Sequence, residues 1–67
     1  MSPKRLSRVI QQLRESKGMT QRDLAAKANV TQGYVAQLEM GVKKNPSLEI
    51  LKRIAKALGV PVTELLS

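Results

Sequence analysis

The 67-residue sequence contains no cysteine, no histidine, no tryptophan and no phenylalanine. Without cysteine or histidine there is no disulfide, no thiolate nucleophile, no Cys/His zinc site and no imidazole acid–base chemistry. The few carboxylates fall at helix caps and in charge pairs, and no nucleophile–base set exists. The expectation is therefore a protein that is not an enzyme and uses neither a metal nor a cofactor. Tyr34, the single aromatic residue, argues against modules that stack single-stranded bases on aromatic platforms. No apolar run approaches the ~18 residues that cross a bilayer, and Met1-Ser2-Pro3-Lys4-Arg5 leads into no signal-like apolar stretch, so no membrane association and a cytoplasmic location are expected. Acidic residues are also scarce. Five Asp and Glu against twelve Lys and Arg give a formal charge of +7, which favours a polyanionic partner, although a solvated basic surface explains the net charge equally well.

What remains is helix-forming pattern. At this length and 42 % apolar content, one domain covering residues 1–67 is expected, with one small core. Leu6, Val9, Ile10 and Leu13 give a helical stripe within Leu6 to Lys17, and Gly18 ends it. Thr20 and Asp23 resemble a capping box that opens a helix from Gln21 to Ala28, with Leu24, Ala25 and Ala28 inward. Asn29 is a turn residue that tolerates positive φ. Thr31 caps a third helix, which keeps Val35 and Leu38 on its apolar side and stops at Gly41. Ser47 caps a fourth helix with Leu51, Ile54, Ala55 and Leu58 inward, ended by Gly59. After Pro61 comes a short fifth helix with Val62, Leu65 and Leu66. No segment alternates like a half-buried strand, so the fold is read as all-α with five helices.

The second and third helices are short, are joined by about three residues, and the later one has a polar front; such a pair places one helix in the major groove of duplex DNA. This helix-turn-helix covers approximately residues 20–40. The leading residues of the groove helix, Thr31, Gln32, Gly33 and Tyr34, then meet the DNA. Gln32 can bond adenine in a bidentate manner, and Gln37, about 140° further round the helix, reaches the same groove with its long side chain; each is otherwise an ordinary solvated glutamine. Tyr34 reaches phosphate or packs on the rim of the second helix. Lys43 and Lys44 follow in a loop beside the next helix N-terminus, where they suit a phosphate clamp or simply keep the loop solvated; Asn45 adjoins them as a further backbone-contact candidate. Glu39, near the C-terminus of the third helix, opposes the helix dipole and calls for a cation, for which Arg14 is the candidate. Lys52, Arg53 and Lys56 read as a solvated outer face, with Glu49 placed four residues before Arg53 for a weak surface pair.

Gln21-Arg22-Asp23-Leu24-Ala25, the segment Val35 to Gly41, Leu13 to Gln21, Asn45-Pro46-Ser47-Leu48 and Ile54 to Pro61 together resemble the Cro and repressor helix-turn-helix family, also called the XRE family. The resemblance implies a five-helix, lambda-repressor-like domain with a central helix-turn-helix. It implies that Gln21 contacts backbone phosphate, that Gln32, Gly33 and Gln37 face base edges, and that Arg14 pairs with Glu39. Two departures stand out: Gly33 brings no side chain where relatives often carry a base-reading group, and Asn29 replaces the usual turn glycine. The expected function is a sequence-specific transcriptional regulator of repressor or controller type. It would bind a palindromic double-stranded DNA operator as a homodimer through Val62, Leu65 and Leu66. The rival expectation is an interaction module with a protein partner, as in an antitoxin, or the DNA-binding part of a larger regulator.

Overall fold

The computed structural model describes residues 3–43 and 45–66. It contains α1 (Pro3–Ser16), α2 (Gln21–Ala28), α3 (Gln32–Glu39), α4 (Leu48–Leu58) and α5 (Thr63–Leu66), with no strand among the described residues. α1 begins three residues before the apolar stripe. Pro3 occupies its first position, where the fixed φ of proline suits a helix start and the missing N–H is no loss.

The starts of α2, α3 and α4 follow from their caps. Thr20 Oγ1 accepts from the Asp23 N–H at 3.0 Å, and the Thr20 N–H donates to Asp23 Oδ2 at 2.9 Å, which completes the capping box. Thr31 Oγ1 accepts from the Tyr34 N–H at 3.1 Å and Ser47 Oγ from the Ile50 N–H at 3.2 Å. Four helices also end alike. At the close of α1 to α4, paired turn bonds tie Met19 to Arg14, Val30 to Ala25, Val42 to Gln37 and Val60 to Ala55 through the backbone, with a left-handed residue just before each donor. At the end of α2 that residue is Asn29, at φ 57°, the one described non-glycine residue with positive φ. Asn replaces Gly there at modest strain because its short polar side chain tolerates the left-handed region.

The core is drawn from all five helices. Leu6 and Ile10 of α1, Leu24, Ala25 and Ala28 of α2, and Val35 and Leu38 of α3 are buried against Leu51, Ile54, Ala55 and Leu58 of α4 and Leu65 of α5. α2 packs on both α3 and α4, α1 packs on α3, and α5 touches α1 and α4. The alanines of α2 permit the close approach of α4, and each fully buried Leu or Ile contributes roughly 1.5–3 kcal/mol. Ser7, the described polar residue inside, satisfies its hydroxyl on the Lys4 carbonyl at 2.8 Å.

Two expectations need correction. Leu65, assigned above to a dimer surface, is 1 % exposed and belongs to the core of its own chain; Val62 is half-buried against that core, and only Leu66, 39 % exposed, remains outward. A four-residue helix has one inward position per turn, and closing the α1–α4 gap takes it. Arg53 is likewise not a solvated partner of Glu49. Its Nε donates to the Ala28 carbonyl at 3.0 Å and its Nη2 to the Asn29 carbonyl, because those carbonyls at the end of α2 offer fixed acceptors that a mobile surface carboxylate does not.

Candidate nucleic-acid interface

α3 presents two faces. Val35 and Leu38 are buried, which turns Gln32, Gly33 and Gln37 outward, all three exposed. Thr31 caps the helix and is exposed beside them. Its hydroxyl oxygen accepts the Tyr34 N–H, which leaves the O–H proton to donate elsewhere. Tyr34 is half-buried against the core, and Lys43 Nζ lies 5.5 Å from the centroid of its ring. The loop after α3 therefore folds back over the first turn of the helix, bringing two expected backbone contacts side by side by a cation–π approach. Asn45 is exposed, and Lys44 lies outside the described residues.

Behind this face is a polar hub. Arg14 Nε donates to Glu39 Oε2 at 2.6 Å and Arg14 Nη2 to Glu39 Oε1 at 3.0 Å, a bidentate pair; Nη1 donates to the Met19 carbonyl at 2.7 Å. Hydrogen bonding to Glu39 raises the Arg14 pKa above its already high ordinary value, against the opposing effect of burial. Gln21 Nε2 completes the group by donating to Glu39 Oε1 at 3.1 Å. One carboxylate thus joins the end of α1, the start of α2 and the end of α3. Gln21, expected to contact DNA backbone, has its side-chain amide turned inward to this carboxylate. At the start of α2 the Asp23 N–H is taken by the Thr20 hydroxyl, which leaves the backbone N–H groups of Gln21 and Arg22 as the available anion donors.

The pattern of the sequence revealed neither Gln21 as a third member of the hub nor Arg53 as a clamp on α2. A glutamine at a helix start has many partners open to it, and an arginine four residues after a glutamate suggests a pair on its own helix. The unmet acidic charge at Glu39 was the one signal that pointed across helices.

Residues 10–65 match the family model described as Helix-turn-helix. The chain belongs to the helix-turn-helix family, of XRE type. It is 37 % identical over 60 residues to the HTH-type transcriptional regulator SlrR of Bacillus subtilis, which covers 90 % of this chain and 40 % of that protein. It is 36 % identical over 58 residues to the HTH-type transcriptional regulator SinR of Bacillus licheniformis, over 87 % of this chain and 52 % of the relative. The helix-turn-helix chain therefore spans about two fifths to one half of these curated relatives. Its backbone superposes on the restriction-modification controller protein C.AhdI of Aeromonas hydrophila with a TM-score of 0.90 at 30 % identity, covering 94 % of each chain. These relatives are named for regulation and not for an enzymatic activity, in line with the missing nucleophile–base set. No helix among the described residues is long and apolar enough to cross a membrane.

Proposed function

We propose that this chain is a single cytoplasmic helix-turn-helix domain that binds a specific double-stranded DNA sequence and regulates transcription, as a repressor or controller. The observation that carries the reading is the outward face of α3. Gln32, Gly33 and Gln37 are exposed together on a helix whose far end is anchored by a bidentate ion pair. In this reading α3 enters the major groove, Gln32 and Gln37 bond base edges, and Gly33 lets the helix approach closely. Thr31, Tyr34, Lys43, Lys44, Asn45 and the first turn at Gln21 hold phosphates and fix the register.

The domain acts as a homodimer on a palindromic operator, with half-sites about 34–36 Å apart or a multiple of that spacing. Leu65 takes no part, since it is buried; the apolar residues left for self-association include Leu66 at the end of α5 and Leu48 at the start of α4. Selection of bound duplexes from a random pool tests the reading. It should return a two-fold symmetric site, and equilibrium sedimentation should show a dimer with that duplex. Recovery of unrelated sequences, with equal affinity for all duplexes, would refute sequence-specific binding, and a strictly monomeric complex would refute the dimer.

A further inference from the structure

Where α2 ends against α4 there is a concavity of about 440 Å³ lined by Lys27, Ala28, Asn29, Arg53, Lys56 and Ala57. None of these residues belongs to the α3 face or to the Arg14–Glu39 hub. Three of the six are cations and none is an acid. Arg53 is half-buried and held from behind, since two of its five N–H donors meet the carbonyls of Ala28 and Asn29. Those carbonyls belong to the negative end of α2, and Arg53 offsets the repulsion that an anion would otherwise meet there. Lys27 and Lys56 are exposed. Lys27 interacts electrostatically with Asp23 one turn earlier, while the Lys56 ammonium has no ion pair or hydrogen bond among the described residues. The small side chains of Ala28 and Ala57 leave the space between the cations open.

We propose that this concavity is a binding site for a phosphate-class oxyanion, with Arg53 as the fixed donor and Lys27 and Lys56 as two ammonium arms. A guanidinium already fixed by backbone bonds loses little freedom when an oxyanion arrives, and charge-assisted bonds from three cations to one anion reinforce each other. The phosphate can be that of a small molecule or of a duplex backbone running past the end of α2. The chemistry of capture is the same.

Titration of the whole chain with inorganic phosphate at constant ionic strength, followed by amide NMR, reads the site directly. Saturable shifts should cluster at residues 27–29 and 53–57, be absent with chloride, and weaken about tenfold or more in Lys56→Gln and in Lys27→Gln. Both positions are exposed, so each variant should keep the helical circular dichroism of the parent. A second measurement separates the two sources: if a backbone phosphate occupies the site, Lys56→Gln should reduce the slope of log affinity for duplex DNA against log salt by about one. An unchanged slope with saturable phosphate binding assigns the site to a free anion. No saturable phosphate shift together with an unchanged slope would overturn the proposal. The phosphate titration contains no DNA, so its failure is independent of the DNA-binding reading above.

Discussion

Arg14 and Glu39, 25 positions apart in sequence, meet in a bidentate ion pair in which the two side chains retain only 11 % and 4 % of their exposure. Glu39 receives a third bond from Gln21, so α1, α2 and α3 share one carboxylate. Removing one partner of so secluded a pair leaves the other charge buried. Arg14 would keep the Met19 carbonyl and a longer contact with Glu15 at 3.8 Å, so Glu39→Ala should destabilise the fold by about 1.5–3 kcal/mol, read as a lower urea midpoint and melting temperature. A change within measurement error would mean that the hub contributes nothing to holding α3.

Arg53 makes the corresponding link between α4 and the end of α2. Arg53→Met keeps much of the apolar stem but abandons the Ala28 and Asn29 carbonyls, at a cost of roughly 1–3 kcal/mol in chemical denaturation. Glu49→Gln should cost only about 0.3–1 kcal/mol, the contribution of a first-turn carboxylate on the helix dipole, because Arg53 is engaged with α2. A larger effect from Glu49 than from Arg53 would restore the surface pair read from the sequence.

The capping box gives an acid-dependent signature. The backbone N–H of Thr20, followed by its hydroxyl, holds the Asp23 carboxyl below its ordinary pKa. Because the folded-state value is the lower one, the contribution is complete above the ordinary aspartate value of about 3.9 and is lost as pH falls through the folded-state value. Asp23→Asn should lower the melting temperature near neutral pH and converge on the parent in acid. A gap that stays constant across the acid range would remove the charge from the explanation.

Gly33 has helical backbone angles, and a Cβ built there meets no atom within 4 Å. The fold gives no reason for glycine at that position. Gly33→Ala should raise stability by about 0.5–1 kcal/mol. If the helix backbone lies against base edges, the same change should weaken binding to the selected duplex severalfold. A variant that is more stable and binds as well as the parent would assign Gly33 no part in recognition.

Gln32 and Lys43 should fail differently. Gln32→Ala should cost about 1–3 kcal/mol on the preferred duplex and relax the base preference at one position, whereas Lys43→Ala should weaken all duplexes alike and reduce the salt slope by about one. Fluorescence titrations on matched and scrambled duplexes at several salt concentrations distinguish the two. Tyr34→Phe retains the ring beside Lys43 and should therefore leave the salt slope as it is.

The chain of five helices was legible without coordinates because each signal is local. Thr20, Thr31 and Ser47 cap the helices they precede, Gly18, Gly41 and Gly59 end them, and the apolar spacing in α2 and α4 names their buried faces. The outward position of Gln32, Gly33 and Gln37 follows from the same periodicity once Val35 and Leu38 are inward. The Arg14–Glu39 pair was foreseeable for a different reason: a carboxylate at the negative end of a helix needs a cation, and the dipole makes that need visible. Local pattern does not choose among distant partners that compete for one side chain. Whether Arg53 meets Glu49 or the carbonyls of α2, whether Gln21 turns to Glu39, and whether Leu65 faces its own core or another chain are settled only when the helices pack, because each outcome depends on which fixed acceptor or unfilled volume tertiary contact brings within reach.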